Sequence, residues 1–85
     1  MANEDIKLIG QVTHYYSNIG VGIIKLTGDL SIGDAVHIEG NSSDLEMEVS
    51  SMQVNHESVE SAGKGDEVGV KVSEKVKKGD RVYKR

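Results

Sequence analysis

The sequence predicts an all-β domain, a small closed antiparallel β-barrel of six or seven strands. Three observations lead there. Val and Ile number 18 against 4 Leu, with no Phe and no Trp, and β-branched side chains are stiff at χ1 and suit a pleated surface. Ten glycines without a proline indicate many tight turns rather than linkers. Short runs in which apolar and polar residues alternate recur along the chain, bounded by Gly, Asp, Asn and Ser. With 85 residues the chain makes one domain with a modest core. Residues 1–5 are expected to be a disordered N-terminus.

The elements follow in order. Ile6, Leu8, Val12, His14 and Tyr16 share one parity in "IKLIGQVTHYY", which predicts a long strand with Gly10 as a bend. "SNIG" (17–20) is turn chemistry, and "VGIIKL" (21–26) returns as a second strand. "TGDLSIGD" (27–34) is a loop expected to turn Leu30 and Ile32 inward. Val36 and Ile38 then alternate with Ala35, His37 and Glu39, and "GNSSD" (40–44) is a turn by composition. Leu45, Met47 and Val49 alternate with Glu46 and Glu48; the inward parity resumes one residue late at Met52 and Val54, predicting a β-bulge at Ser50–Ser51. Val68, Val70 and Val72 face inward opposite Glu67, Gly69 and Lys71. "RVYK" (81–84) closes the set.

Three of these elements open on the same words: "IGDAV" (32–36), "KGDEV" (64–68) and "KGDRV" (78–82). Gly tolerates positive φ, and Asp bonds its side chain to nearby amides. The Val two residues past each Asp begins an inward row, so the motif is predicted to set strand entry and register. A phosphate-binding loop would instead feed a helix N-terminus, and no GxxxxGK[ST] or GxGxxG is present. Asp34, Asp66 and Asp80 are therefore structural rather than metal-binding or catalytic.

These stretches carry a family resemblance. "GDLSIGDAVHIEG" (28–40), "SAGKGDEVGVKV" (61–72) and "VKKGDRVYK" (76–84) resemble, in order and spacing, three segments of the second domain of translational GTPases such as elongation factor Tu and initiation factor 2. The resemblance spans about residues 6–85 and implies that family's β-barrel. The basic residue of the elongation factor Tu run Gly-Thr-Val-Val-Thr-Gly-Arg has no counterpart in "GVGIIKLTG" (20–28), so no aminoacyl-tRNA contact carries over. There is no P-loop and no Asn-Lys-x-Asp motif, and GTP binding is not expected. Similar barrels also end collagenase-like peptidases and RNA-modification proteins.

Charge is uneven. Residues 1–60 hold two Lys against ten Asp and Glu, whereas residues 61–85 hold eight Lys and Arg against four. A basic strip in an acidic chain can touch a few phosphates without blanketing nucleic acid. Tyr15, Lys75, Lys77, Lys78, Arg81, Lys84 and Arg85 are thus the candidate RNA- or partner-binding residues, the tyrosine stacking and the cations contacting phosphate. His14, His37 and His56 are too scattered for an expected metal site, no Ser sits in a GxSxG context, and Glu46 and Glu48 make an acidic solvent face.

The expected protein is therefore not an enzyme, binds no cofactor or metal, and is cytoplasmic. It has no cysteine for a disulfide and no apolar run near the ~20 residues of a membrane span. The sequence predicts a translation elongation factor-like binding module contacting tRNA, ribosomal RNA or a translation-associated protein. The alternatives are an accessory domain of a collagenase-like peptidase or RNA-modifying enzyme, or a protein–protein adaptor using the acidic face.

Overall fold

Valine-rich alternation becomes strand at Ala35–Glu39 and Glu67–Lys71. The computed structural model describes residues 7–40, 44–55 and 57–84. Its strands are β1 (Lys7–Tyr16), β2 (Val21–Leu26), β3 (Leu30–Ser31), β4 (Ala35–Glu39), β5 (Asp44–Glu48), β6 (Met52–Val54), β7 (Glu57–Val59), β8 (Ser61–Ala62), β9 (Glu67–Lys71) and β10 (Arg81–Lys84). No helix among the described residues is long and apolar enough to cross a membrane. The expected disorder at residues 1–5 and the centre of the predicted turn at 40–44 lie outside the described residues.

The predicted closed barrel of six or seven strands does not form. Eight strands make one antiparallel sheet in the order β5-β4-β10-β1-β2-β9-β6-β7, curled into a half-barrel that ends on β5 and β7, while β3 and β8 pair separately. The reason lies at Val49–Ser51. These residues are not a bulge inside one strand; they carry the chain from β5, at one edge, to β6, near the other. Val49 donates its N–H to the Asp34 carbonyl at 2.9 Å and accepts from the Gly33 N–H at 2.8 Å. A single-residue bridge and the two-residue β3–β8 pair thus stand where a closing ladder would need several consecutive partners.

Register builds the core in rows. Leu45, Ile38, Val82, Gly10 and Leu26 face one another across β5, β4, β10, β1 and β2. Val12, Ile24 and Val68 form a second row, and Tyr15, Gly22, Val70, Met52 and Val59 a third. Ile38, Val68, Val70 and Val82 are fully buried, and a fully buried aliphatic side chain contributes about 1.5–3 kcal/mol.

β1 breaks the predicted parity twice. Its register shifts between Leu8 and Gly10 and again between Val12 and His14, each an extra residue of the β-bulge kind. At the first, Ile9 turns into the core and Leu8 is left 49% exposed. At the second, Thr13 Oγ1 donates to the Ile23 carbonyl at 3.3 Å, and every later side chain changes face. Tyr15 points inward, while His14 and Tyr16 point out, opposite to the expectation. Ile32 is also exposed rather than inward, because it sits at a turn corner.

Candidate binding surfaces

The three Gly-Asp corners are one device used three times. In each, a four-residue turn places Gly third, with φ of +97° at Gly33, +94° at Gly65 and +96° at Gly79, the geometry of a type II turn. The fourth residue closes it: Asp34 N–H donates to Ser31 O at 3.1 Å, Asp66 to Gly63 O at 3.0 Å and Asp80 to Lys77 O at 3.1 Å. Each carboxylate then accepts the N–H of the first residue, at 2.8 Å from Ser31, 3.1 Å from Gly63 and 2.9 Å from Lys77. Each turn also exchanges two backbone bonds with one buried residue: Val49, Leu26 and Val12 respectively. The motif is spent on architecture, as its sequence predicts.

The third corner carries the basic cluster. Lys77, Lys78 and Arg81 are exposed and, with Glu39, Gly40, Gly79 and Asp80, line a cleft of about 400 Å³. Asp80 is buried beneath them, its Oδ1 against Gly40, where no side chain would fit. Arg81 faces Glu39 across the strands, so the cleft holds both signs. The other predicted site residues are placed differently. Lys75 is exposed on the segment before the turn. Lys84 shares the inward parity of Val82 at the end of β10, half-buried, with Nζ 3.6 Å from Asp34 Oδ2. Tyr15 packs against the core and does not line the cleft. Arg85 lies outside the described residues.

A second surface was not foreseen. On the outer face of β1, β2, β9 and β6, register sets Tyr16, Val21 and Lys71 in one row, and His14, Ile23, Gly69 and Gln53 in the next. Ile19, Asn55 and Glu67 join His14, Tyr16, Val21, Ile23, Gln53 and Gly69 in lining a groove of about 350 Å³, with Lys71 just beyond its end. Tyr16 is 47% and Ile19 60% exposed, and the His14 and Tyr16 rings stack at 6.2 Å with 22° between planes. Gly69 is the floor; a Cβ there would meet Val21 Cγ1 at 3.3 Å and Ile23 Cδ1 at 3.4 Å. One sequence signal was available: a lone glycine in the outward row of a strand marks a close approach or an opening.

The histidines do not converge. His37 Nε2 lies 2.5 Å from Asp44 Oδ1, and its Nδ1 4.0 Å from Glu46 Oε2. His14 stacks on Tyr16, and His56 is outside the described residues. Among the described residues no group of three or more His, Asp or Glu is placed to hold a metal ion.

Comparison with known proteins adds a direction. No model of a known protein family matches the sequence. The C-terminal domain of a Geobacillus thermoleovorans protein assigned to the U32 peptidases superposes with a TM-score of 0.87 at 16% identity, over 93% of this chain and 92% of that domain. The fold is that of a U32 peptidase C-terminal domain. The bacterial selenocysteine-specific elongation factor matches with a TM-score of 0.73 at 22% identity, over 94% of this chain and 15% of that one. The resemblance to a translation-factor barrel therefore holds for the fold.

Sequence relatives lie on the peptidase side. An uncharacterized protease of Methanocaldococcus jannaschii is 47% identical over 76 residues, 88% of this chain and 19% of that protein. A collagenase of Porphyromonas gingivalis is 31% identical over 78 residues, 89% of this chain and 22% of that protein. The chain thus spans about a fifth of the length of the curated relatives it matches.

Proposed function

We propose that this domain is a non-catalytic recognition module of the collagenase-like peptidase type, which binds a peptidase or that peptidase's polypeptide substrate. The observation that carries this reading is the 47% identity to the Methanocaldococcus protease over nearly the whole chain. The similarity corresponds to one domain of a far longer protein, and the fold matches a peptidase C-terminal domain that was crystallised by itself. The strand-entry aspartates are committed to turns, which leaves the chemistry of the two surfaces as the means of action. Both suit binding: one is shallow and apolar, the other polar and charged.

Affinity capture tests it. The chain, immobilised and exposed to RNase-treated extract of its source, is expected to retain a U32-type peptidase as a dominant partner, and the purified pair should associate when remixed. Retention of no peptidase, or loss of all binding on RNase treatment, would overturn the reading. The second outcome would favour the translation-type module, whose specific support is the Lys77, Lys78 and Arg81 cleft. In that case RNA affinity should fall steeply with salt, and Lys77→Ala with Lys78→Ala should lower the salt slope by about 2.

A further inference from the structure

The geometry points to the outer groove over Gly69 as a docking site for an extended peptide segment, apolar in its middle, positively charged over Glu67 and negatively charged where it leaves the groove toward Lys71. This deepens the accessory-domain reading by naming the face and the class of ligand.

Burial sets the middle of the ligand. Val21 and Ile23 are only half-buried, and Tyr16 and Ile19 are exposed, around a floor where β9 carries no side chain. Such a surface gains by covering apolar area. An extended backbone fits the floor, because the missing Cβ lets the ligand approach the sheet closely. The carboxamides of Gln53 and Asn55 stand on one side of the groove, and each can both donate to and accept from a peptide backbone.

Charge sets the ends. Glu67, Gly69 and Lys71 occupy successive outward positions of β9, with Val68 and Val70 buried between them. At about 3.3 Å per residue the two charges stand roughly 13 Å apart along the strand, which an extended ligand spans between its first and fifth residues. Lys25 is the cross-strand neighbour of Glu67. Among the described residues, however, the ion pairs are His37–Asp44, His37–Glu46 and Lys84–Asp34, so neither Glu67 nor Lys71 is engaged. A ligand with a cation at one end and an anion at the other completes both.

The test is a titration of the 15N-labelled chain with the peptide Ac-Lys-Val-Leu-Val-Glu-NH2. Saturable shifts of the His14, Ile23, Gly69 and Gln53 amides are expected, with a Kd below about 1 mM, the weak end of specific binding. The doubly acidic probe Ac-Glu-Val-Leu-Val-Glu-NH2 should bind at least threefold more weakly. Gly69→Val fills the groove and should weaken binding at least tenfold; Tyr16→Ser, at an exposed position, gives the same readout should the valine variant not fold. Absence of saturable shifts at 5 mM probe (about five times that Kd), shifts centred on the Lys77–Arg81 cleft, equal binding of the two probes, or unchanged binding by both variants each overturns the proposal. Capture of a peptidase can succeed while this titration fails, so the two readings are separable.

Discussion

Replacing Gly33, Gly65 or Gly79 by Ala isolates the conformational cost of the repeated corner from any packing cost. All three have φ between +94° and +97°, and a Cβ built on any of them meets nothing within 4 Å. Ala in the left-handed region costs about 1–2 kcal/mol, and here φ lies beyond the usual left-handed centre near +57°. Ala also restricts the unfolded chain, returning about 0.4–1 kcal/mol. The net expectation is about 1 kcal/mol of destabilisation at each site, nearly equal across the three, or roughly 4–8 °C in Tm. The turns bond to different buried residues, Val49, Leu26 and Val12, so the triple variant should add to about 3 kcal/mol. That is a large share of the stability expected for 85 residues, about 4–13 kcal/mol. Urea unfolding followed by far-UV circular dichroism reads it directly. A single Ala variant as stable as wild type, or one of the three costing several times the others, would refute the view that the corners are equivalent.

Three further outcomes follow from the same structure. Asp→Ala at the corners should rank with burial: Asp80, 5% exposed, should lose about 1–3 kcal/mol because its partner amide is left unpaired, half-buried Asp34 less, and exposed Asp66 least, all by urea midpoint. Gly10→Ala should be severe, about 2–3 kcal/mol, since its Cβ would lie 2.8 Å from the Lys25 carbonyl and 2.7 Å from Ile24 Cγ2, and backbone cannot step aside; a variant melting with wild type would sink that account. Lys84→Ala removes the 3.6 Å contact with Asp34 at a partly exposed pair, and a double-mutant cycle with Asp34→Ala should return a coupling of about 0.2–1 kcal/mol.

Much of the architecture was legible because its determinants are local. The rows Val36–Ile38 and Val68–Val70–Val72 are buried as alternation requires, and the corners form as Gly-Asp chemistry requires. Closure of the barrel was not legible. Whether β5 meets a partner on its open side depends on how the chain crosses at Val49–Ser51, and a parity slip looks the same for a bulge as for a strand break. The basic residues were legible as a cluster only where one turn holds them: Lys77, Lys78 and Arg81 share a cleft, while Lys84 spends its charge near Asp34. Tyr15 and Tyr16 are adjacent, so one had to face out, but the extra residue at Thr13 decided which.

That decision ties the failed prediction to the unforeseen surface. Had β1 run regularly, its parity would have turned His14 and Tyr16 into the core and put Tyr15 beside Val21 and Ile23. The bulge reverses this: Tyr15 joins the inner row opposite Gly22, and the stacked His14–Tyr16 pair is delivered to the outer face beside Ile23 and Gly69. Gly69 thus complements the bulge by leaving a floor next to the exposed tyrosine, while the space a side chain at Gly22 would need is taken by Val76 and Val72. A bulge that served packing alone would not need an aromatic pair stacked on the solvent side of an opening. Its coincidence with Gly69 is the structural reason to look for a ligand on the convex outer face rather than at the basic corner.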